Sequence, residues 1–439
     1  MSSGRIKVLA AAAAGALLLT AAGCSGSGKS EAPASTAASG ASAAAPSGTV
    51  TWSTWGNPDE LKRFEDFNAQ FMVKHPTIKV VLQSVPSYSD YHAKLLAQLT
   101  SKTAPDAFYV GDDKLGQFVD SGALLDVSSV LKDPASAAKY DSFNPALFGA
   151  AQTDAGIFAA PNDVNPDALW YDKKALKAAG ITDDPATLAA AGKWTTTAFL
   201  DMNAKLKSSG KTGTMFWNYW ATHWGWISSQ GGKAYDGNTF VGNTDPKTLA
   251  AVEQLGGLFQ SKTFVAADVL PEGAGADSVF VSHKAGFFAQ GRYTIATVKG
   301  AGDPDNYDIV DWPSPDGTAP STGVAASYLA INAASKNPEA AKLFWAEFLS
   351  PEGQKIRLAG GGNAVPSIKG ADDIVLDGYP AHAQTFLDMR DHGFVDYAAE
   401  ARVPGLSGDI AEKFLALYQG KATAQKTLDD IAAMVAKAQ

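Results

Sequence analysis

The order of secondary structure is set by residues 49–111, which read TVTWSTWGNPDELKRFEDFNAQFMVKHPTIKVVLQSVPSYSDYHAKLLAQLTSKTAPDAFYVG. Three runs in this stretch have the apolar or alternating pattern of strands, namely residues 49–56, 78–85 and 105–111. Helical patterns separate them, and in the first of these Leu61, Phe64, Phe67 and Phe71 recur at helical spacing. The order strand, helix, strand, helix, strand predicts a parallel sheet with helices on both faces.

The loops after two of these strands are predicted to face a ligand, because sheets of this kind bind ligands beyond the carboxyl ends of their strands. The first loop contains Trp55 and Asn57, and the second contains Asp112 and Asp113. Both loops are therefore candidates for a binding crevice by position.

The rest of the chain alternates again between strand and helix patterns. Residues 156–181 have a hairpin-like pattern that runs into a helix, and strand patterns recur in residues 306–315 and 326–335. Two comparable α/β blocks account for this alternation more economically than one very large sheet. No internal repeat of fixed period indicates a solenoid or a propeller.

The composition narrows the classes of partner. The chain has 439 residues, enough for two or three domains, with a formal net charge of -9 and 18% charged residues. The sequence has no long Lys/Arg cluster, which argues against nucleic acid and against an anionic membrane surface. The 10 Trp, 13 Tyr and 21 Phe favour ligand contacts that are apolar and neutral polar rather than ionic.

The N-terminal residues 1–23 have the pattern of an export signal, with Arg5 and Lys7 ahead of an apolar run that is too short to span a bilayer. Cys24, the one cysteine of the chain, resembles the acylated cysteine of a bacterial lipoprotein, although Ala21 stands where leucine is usual. The alternative is an ordinary secretory signal followed by a free cysteine. Residues 24–48 lack aromatic and branched aliphatic side chains and are predicted to be a disordered tether.

Five segments after the tether resemble, in the same order, the extracellular solute-binding proteins of carbohydrate ABC importers, the family that contains the maltose-binding protein. They are residues 105–128, 156–181, 215–232, 283–293 and 328–354, including the motifs PDAFYVGDDKLGQF, HKAGFFAQGRY and NPEAAKLFWAEFLSPEGQ. The resemblance covers nearly all of the chain beyond the tether. It implies a periplasmic-binding-protein fold, with two α/β lobes, each a sheet flanked by helices, and a ligand cleft between the lobes at a hinge.

Carried onto this chain, the resemblance assigns residues 49–162 and 314–350 to the first lobe, and residues 163–313 and 351–439 to the second. The chain would cross between the lobes at Pro161–Pro166 and Trp312–Pro315. Both segments are rich in proline, which fits segments that do not join a regular element. The resemblance also implies a monomer without catalysis or cofactor that works with a membrane permease. The ATPase would be a separate subunit, since the sequence has no P-loop motif in a strand-to-helix context.

A sugar presents hydroxyls, which need paired hydrogen bonds, and C–H faces, which dock on aromatic rings. By the resemblance, Asp113 and Lys114 stand where relatives contact sugar hydroxyls, whereas Asp112 is expected to cap the following helix. Asn165 stands where relatives carry a ligand carboxylate. Asp163 would either compensate for that change or form a turn.

Aromatic ligand contacts are predicted in two segments. Tyr293 stands where the family usually has a stacking tryptophan, and Arg292 beside it would bind a carboxylate or hydroxyl pair or be an exposed structural arginine. The segment MFWNYWATHWGW, residues 215–226, is interpreted as a helix whose start faces the cleft. Its predicted stacking residues are Trp217, Tyr219 and Trp220, while Trp224 and Trp226 are predicted to pack and His223 to pack or cap.

The sequence thus predicts a lipoprotein on the outer face of the cell membrane that captures a sugar, a di- or oligosaccharide, in an aromatic-lined cleft. One alternative keeps the fold but binds a polyamine, a phosphorylated polyol or a metal ion. The neutral, tryptophan-rich cleft predicted here lacks the acids, basic groups or paired tyrosines that those ligands need. A second alternative is a surface glycoside hydrolase, which requires two carboxyls about 5–9 Å apart and has no recognisable motif here.

Overall fold

The computed structural model describes residues 45–270, 275–360 and 363–438. The predicted export signal, Cys24 and the tether up to residue 44 lie outside the described residues. The contacts of the chain separate residues 1–45 from residues 46–439, and all elements given below belong to the second unit. Within the described ranges, no helix combines the length and the apolar character needed to cross a bilayer.

The strands of the described residues are, in chain order, β1 (Gly48–Thr54), β2 (Ile78–Ser84), β3 (Ala107–Gly111), β4 (Gln152–Thr153), β5 (Gly156–Ile157), β6 (Ala159–Pro166), β7 (Ala168–Asp172), β8 (Thr212–Phe216), β9 (Tyr235–Asp236), β10 (Thr239–Phe240), β11 (Phe264–Ala266), β12 (Ala285–Gln290), β13 (Tyr307–Val310), β14 (Val324–Ile331) and β15 (Val365–Pro366). The helices are α1 (Pro58–Lys74), α2 (Tyr88–Thr100), α3 (Asp112–Asp120), α4 (Ser128–Lys132), α5 (Lys173–Ala178), α6 (Pro185–Ala190), α7 (Thr196–Ser208), α8 (Trp220–Ser229), α9 (Pro246–Gln260), α10 (Ala276–Val281), α11 (Thr294–Gly300), α12 (Pro338–Leu349), α13 (Pro351–Leu358), α14 (Gln384–His392), α15 (Ala398–Ala401), α16 (Leu406–Tyr418) and α17 (Ala424–Ala438).

The larger sheet has the strand order β15-β6-β14-β3-β1-β2 among the described residues. Strand β1 is parallel to both β2 and β3, which confirms the parallel arrangement predicted from residues 49–111. The sheet as a whole is mixed, because β14 is antiparallel to β3 and to β6. Strand β14 reaches this sheet from β13 of the other sheet without a crossover helix, so it is free to run in the opposite direction.

The second large sheet of the described chain has the order β11-β8-β12-β7-β13. It repeats the same plan, because β8 pairs in parallel with β11 and β12, while β7 pairs antiparallel with β12 and β13. Helices follow the parallel strands of both sheets. The prediction of two α/β blocks is therefore confirmed.

The chain passes from the first sheet to the second at one residue, Asp167, since β6 ends at Pro166 and β7 begins at Ala168. The predicted crossing at Pro161–Pro166 is wrong, because these residues pair with β14 as part of a regular strand. Proline is tolerated at position 161 because the pairing shifts register beside it, opposite Ser327 and Tyr328, and at position 166 because the strand ends there. The return passage, residues 311–323, contains the predicted crossing Trp312–Pro315.

The segment after α12 stays with the first sheet. Strand β15 pairs with Val164 and Asp163 of β6, and Arg63 of α1 donates from Nε to the carbonyl oxygen of Arg357 in α13, at 2.9 Å. The sequence predicts residues 351–439 in the second lobe, but the first part of this range packs against the first sheet. Further along, Gln260 of α9 donates to the carbonyl oxygen of Leu417, which joins α16 to the second block. The other predicted lobe boundaries stay predictions.

Helix α3 packs against the segment that contains α15 with little room to spare. A Cβ atom at Gly116 would lie 2.7 Å from the backbone Cα and N atoms of Arg402. The side chain of Arg402 forms an ion pair with Asp120 at the end of α3. Glycine at position 116 therefore allows two helices to approach more closely than any other residue would permit.

Replacing Gly116 with alanine is expected to destabilise the protein by about 1–3 kcal/mol, because the added methyl group overpacks against a backbone that cannot rotate away. Gly257 in α9 is the matched control, since a Cβ atom there would meet nothing within 4 Å. Gly257→Ala should instead stabilise the protein by about 0.5–1 kcal/mol through helix propensity. Urea unfolding followed by circular dichroism measures both, and equal effects of the two substitutions would contradict the close packing.

Candidate binding cavity

A cavity of about 640 Å³ lies between elements of the two large sheets. This volume is within the range of small-molecule sites. Its walls come from the loops after β1 and β8, from the end of β3 and the start of α3, from β6 and β14, and from the turn after β12, with contributions from α1, α2 and α13. The lining residues that the argument uses are Trp55, Glu60, Arg63, Tyr88, Asp112, Asp113, Asp163, Asn165, Asp167, Trp217, Tyr219, Tyr293 and Arg357.

Most of the predicted ligand residues meet at this cavity. Those in its lining are Trp55, Asp113, Asp163, Asn165, Trp217, Tyr219 and Tyr293. Four others are outside the lining: Asn57, Lys114, Trp220 and Arg292. The sequence reasoning missed Tyr88 and Asp167, and it interpreted Asp112 as a helix cap.

Asn57 caps α1. Its side-chain oxygen accepts hydrogen bonds from the backbone N–H groups of Asp59 and Glu60, and Glu60 Oε2 accepts from the Asn57 N–H, at 2.9 Å. This reciprocal arrangement satisfies three amide groups at the helix start. Asn57 borders a separate depression of about 390 Å³, which shares Arg63 and Asn363 with the cavity.

Arg292 is fully buried, so the prediction of a cleft arginine is wrong. Its guanidinium donates to the carbonyl oxygens of Ala364 and Ile374, both at 3.0 Å. Its backbone N–H donates to Asn165 Oδ1, at 3.1 Å. Arg292 therefore holds the segment near β15 against the turn that carries Tyr293.

The aromatic segment 215–226 is divided between a strand, a loop and a helix. Strand β8 ends at Phe216 and α8 begins at Trp220, so Trp217 and Tyr219 lie in the loop and the prediction of one helix through Trp217 is wrong. Trp220 is 2% exposed and packs beside Tyr219, with ring centroids 5.4 Å apart, so it does not reach the cavity.

The later part of this segment is core, as predicted. Trp224 and Trp226 are buried, and His223 stacks on Phe414 with ring centroids 4.2 Å apart. His223 Nε2 lies 2.9 Å from Asn218 Oδ1. Burial lowers the pKa of His223 to about 3, so its imidazole is neutral.

Asp113 is bound by two neighbours at the rim of the cavity. The Tyr88 hydroxyl donates to Asp113 Oδ1 at 2.5 Å, and Lys114 Nζ lies 2.8 Å from Asp113 Oδ2. Asp112 is the first residue of α3, whose N-cap is Gly111, so the predictions that Asp112 lies in a loop and caps the helix are wrong. The Asp112 carboxylate accepts hydrogen bonds from the N–H groups of Asp113 and Ala326, at 2.8 and 3.0 Å.

Strand β6 and its continuation carry a row of polar side chains along one wall. Asp163, Asn165 and Asp167 occupy alternate positions and all three line the cavity, as the two-residue period of an extended chain requires. Asp163 accepts hydrogen bonds from Ser327 and Asn162, both at 2.7 Å. The alternation in PNDVNPD was the signal from which Asp167 could have been predicted.

The family profile described as bacterial extracellular solute-binding protein matches residues 55–355. This is more than half of the chain. The chain belongs to this family.

Solved structures of this fold include an ABC substrate-binding protein of Listeria monocytogenes in complex with cycloalternan, at a TM-score of 0.75 and 19% identity, covering 89% of this chain and 98% of that one. The GacH receptor of Streptomyces glaucescens, solved with acarbose, matches with a TM-score of 0.74 and 18% identity. The match covers 89% of this chain and 98% of the receptor chain. The cyclic alpha-maltosyl-1,6-maltose binding protein of Arthrobacter globiformis matches with a TM-score of 0.72 and 17% identity. The match covers 89% of this chain and 100% of that one. The predicted two-lobed binding-protein fold is confirmed.

The cavity of this solute-binding protein is acidic, whereas the sequence predicted a neutral cleft. Five carboxyl groups and two guanidinium groups line it within the described part of the chain. Arg357 Nη1 lies 3.8 Å from Asp163 Oδ2, and its N–H groups also donate to Tyr109 Oη and to the carbonyl oxygen of Asn162, both at 3.2 Å. The positive charge of Arg357 is thus paired with groups of the cavity wall itself.

Burial changes the protonation of three of these carboxyls. It raises the pKa of Asp112 to about 7, with the nearby charge of Asp113 as a second cause. It raises the pKa of Asp163 to about 6, although Arg357 and the Ser327 hydroxyl oppose the shift. Burial raises the pKa of Asp167 to about 7. Among the described residues, no three His, Cys, Asp or Glu side chains converge as metal ligands.

Two further carboxyl groups, those of Asp396 and Glu400, are buried outside the cavity lining, and Glu400 contacts Trp224. Glu400 Oε1 accepts hydrogen bonds from Trp224 Nε1 at 2.9 Å and from the Tyr235 hydroxyl at 2.7 Å. Burial raises the pKa of Glu400 to about 7, and burial together with the charge of Glu400 raises the pKa of Asp396 well above its usual range. The folded solute-binding protein therefore keeps protons here that the unfolded chain releases.

Because the folded-state pKa of Glu400 is raised, its contribution to stability is present below about pH 4.5 and is lost as the pH rises through 7. Glu400→Gln keeps an oxygen for Trp224 and Tyr235 but cannot ionise. The wild-type protein is expected to lose on the order of 2 kcal/mol more unfolding free energy between pH 5 and pH 8 than this variant does. Urea unfolding at both pH values measures the difference, and identical pH slopes would contradict it.

Proposed function

We propose that this protein is the sugar-binding component of an ABC importer. The observation that carries the proposal is the division of the cavity wall into a polar edge and aromatic faces. The polar edge is the row Asp163, Asn165 and Asp167, and the aromatic faces include Trp217, Tyr219 and Tyr293. Carboxylates and amides accept and donate to sugar hydroxyls, while aromatic rings dock against the C–H faces of the sugar.

The Trp217 indole supports this assignment. Its Nε1 atom is buried and has no hydrogen-bond partner within the described residues. A buried N–H group without an acceptor is unfavourable, and a ligand oxygen in the cavity would supply one. Trp217 would then contribute both a stacking face and one directed hydrogen bond.

The proposed ligand is a di- or oligosaccharide. The three solved proteins of the same fold named above are described with cycloalternan, with acarbose, and as binding cyclic alpha-maltosyl-1,6-maltose. The depression beside Asn57 adds about 390 Å³ next to the cavity, and it shares two lining residues with it. A ligand of more than one ring could extend from one into the other.

Attachment and delivery complete the proposal. Acylation at Cys24 and a tether over residues 24–48 would hold a monomeric binding protein at the outer face of the membrane. A permease with a separate ATPase would accept the sugar from it. Mass spectrometry of the membrane fraction tests the anchor, since the mature N-terminus should be a diacylated Cys24.

The protein is proposed to bind sugar without cleaving it. The members of its family and the structures of the same fold are described as binding proteins. The purified protein should release no product from chromogenic α- or β-glycosides above the rate of a heat-denatured control. Turnover that is lost in Asp163→Asn would instead support the hydrolase alternative.

Isothermal titration with maltose, maltotriose, cellobiose, trehalose and a cyclodextrin is expected to give saturable one-to-one binding for at least one of them. The same titration with spermidine and with a phosphorylated polyol should give weaker binding than the best of the sugars. Binding of spermidine or of the polyol with no sugar response would overturn the sugar assignment while leaving the fold unaffected.

Trp217→Ala is expected to weaken sugar binding at least about tenfold, roughly 1.4 kcal/mol, with a much smaller effect on stability. The matched control is Trp224→Ala, which removes a fully buried ring from the core. It should lower the free energy of unfolding by about 3–5 kcal/mol. Titration calorimetry and urea unfolding of both variants test the assignment, and a stability loss at Trp217 with unchanged affinity would reverse it.

A further inference from the structure

Asp167 is a carboxyl of the cavity wall that the fold leaves uncompensated. The residue is 6% exposed, and among the described residues its Oδ2 atom has no hydrogen-bond partner. Its main chain, by contrast, is held on both sides. The Asp167 N–H donates to the carbonyl oxygen of Gly323 at 3.1 Å, and its carbonyl oxygen accepts from Trp312 Nε1 at 2.6 Å.

The other carboxyls that line the cavity have partners in the protein. Asp113 has Lys114 and the Tyr88 hydroxyl, and Asp112 has two backbone amides. Asp163 has two hydrogen bonds and a nearby guanidinium, and Glu60 completes the cap of α1. Asp167 differs from all four, since within the described residues its carboxyl has neither a hydrogen-bond donor at Oδ2 nor an ion pair with a cation.

The two guanidinium groups that line the cavity form hydrogen bonds with residues other than Asp167. Arg357 donates to the Tyr109 hydroxyl and to main-chain oxygens, and Arg63 donates to the carbonyl oxygen of Arg357. A buried carboxylate needs both hydrogen-bond donors and an opposite charge. A sugar hydroxyl would supply one donor and no charge, whereas an ammonium group supplies both.

The aromatic residues of the same cavity favour a cation as well. Tyr293 is 43% exposed and lines the cavity together with Trp217. A Cβ atom at Gly291 would meet both the Tyr293 ring, at 2.6 Å, and Asn165 Oδ1, at 2.8 Å, so the Tyr293 ring lies against the β6 wall that continues to Asp167. The faces of aromatic rings attract ammonium groups, and a carboxylate beside them adds a directed ion pair.

We propose that Asp167 forms a subsite for a protonated amine, and that the saccharide bound by this protein carries a basic amino group. The inference rests on the proposed function and names the substrate class of the same cavity. It places the amine at Asp167, with the hydroxyls of the sugar at Asp163 and Asn165 along the same strand.

Titration calorimetry of the full chain with matched sugar pairs tests this proposal. The pairs are glucosamine and glucose, galactosamine and galactose, and the glucosamine disaccharide chitobiose with its N,N′-diacetylated form, which keeps the skeleton but loses the charge. At least one amine is expected to bind ten times or more tightly than its uncharged partner. Asp167→Asn should abolish that preference and retain the weaker, uncharged ligand.

Asp163→Asn is the matched control, since it removes a carboxylate that is already compensated and should weaken both members of a pair equally. Equal affinity for charged and uncharged partners in the wild-type protein, or a preference that survives Asp167→Asn, would overturn the amine subsite and leave sugar binding intact. No binding of any member, together with no binding of the neutral sugars named above, would overturn the proposed function itself. Circular dichroism and thermal unfolding confirm that Asp167→Asn is folded, because its backbone hydrogen bonds are retained.

Discussion

Two hydrogen bonds to the backbone of Asp167 tie together two passages of the chain between the large sheets. They join the residue where the chain leaves the first sheet to Gly323 and Trp312 on the return path. Because β6 and β7 are separated by this one residue, a rotation of one sheet against the other must be absorbed close to it. The cavity walls come from both sheets, so the shape of the binding site depends on the same point.

The cavity combines an acidic edge with aromatic faces, and its lining comes from elements of both sheets. Asp112, Asp113 and Asp163 belong to the first sheet and the helix that follows it, while Trp217 and Tyr219 follow a strand of the second. A ligand that touches both kinds of surface would therefore bridge the two blocks. The binding energy of such a ligand would then depend on the relative position of the two sheets.

Much of the fold was predictable because its pattern is local. Strands β1 to β3 and the aromatic face of α1 follow directly from hydrophobic periodicity. The helix cap formed by Asn57 could also be predicted from the sequence, since a glutamate three residues later is the signature of a capping box. The buried position of Arg292 could not be predicted, because its partners Ala364 and Ile374 are 72 and 82 positions away in the sequence. The prediction of one helix over residues 215–226 failed because aromatic residues continue from the end of β8 into α8 with only Asn218 between them.

The distribution of the tryptophans has a spectroscopic consequence. Eight of the ten are buried in the core, and the remaining two, Trp55 and Trp217, line the cavity from opposite sides. Most of the intrinsic emission therefore comes from indoles in an invariant apolar environment, on which a ligand has no direct effect. A change of intensity or of emission maximum on adding a solute would originate at Trp55 and Trp217. The protein thus carries a built-in fluorescent probe in each wall of its own binding site.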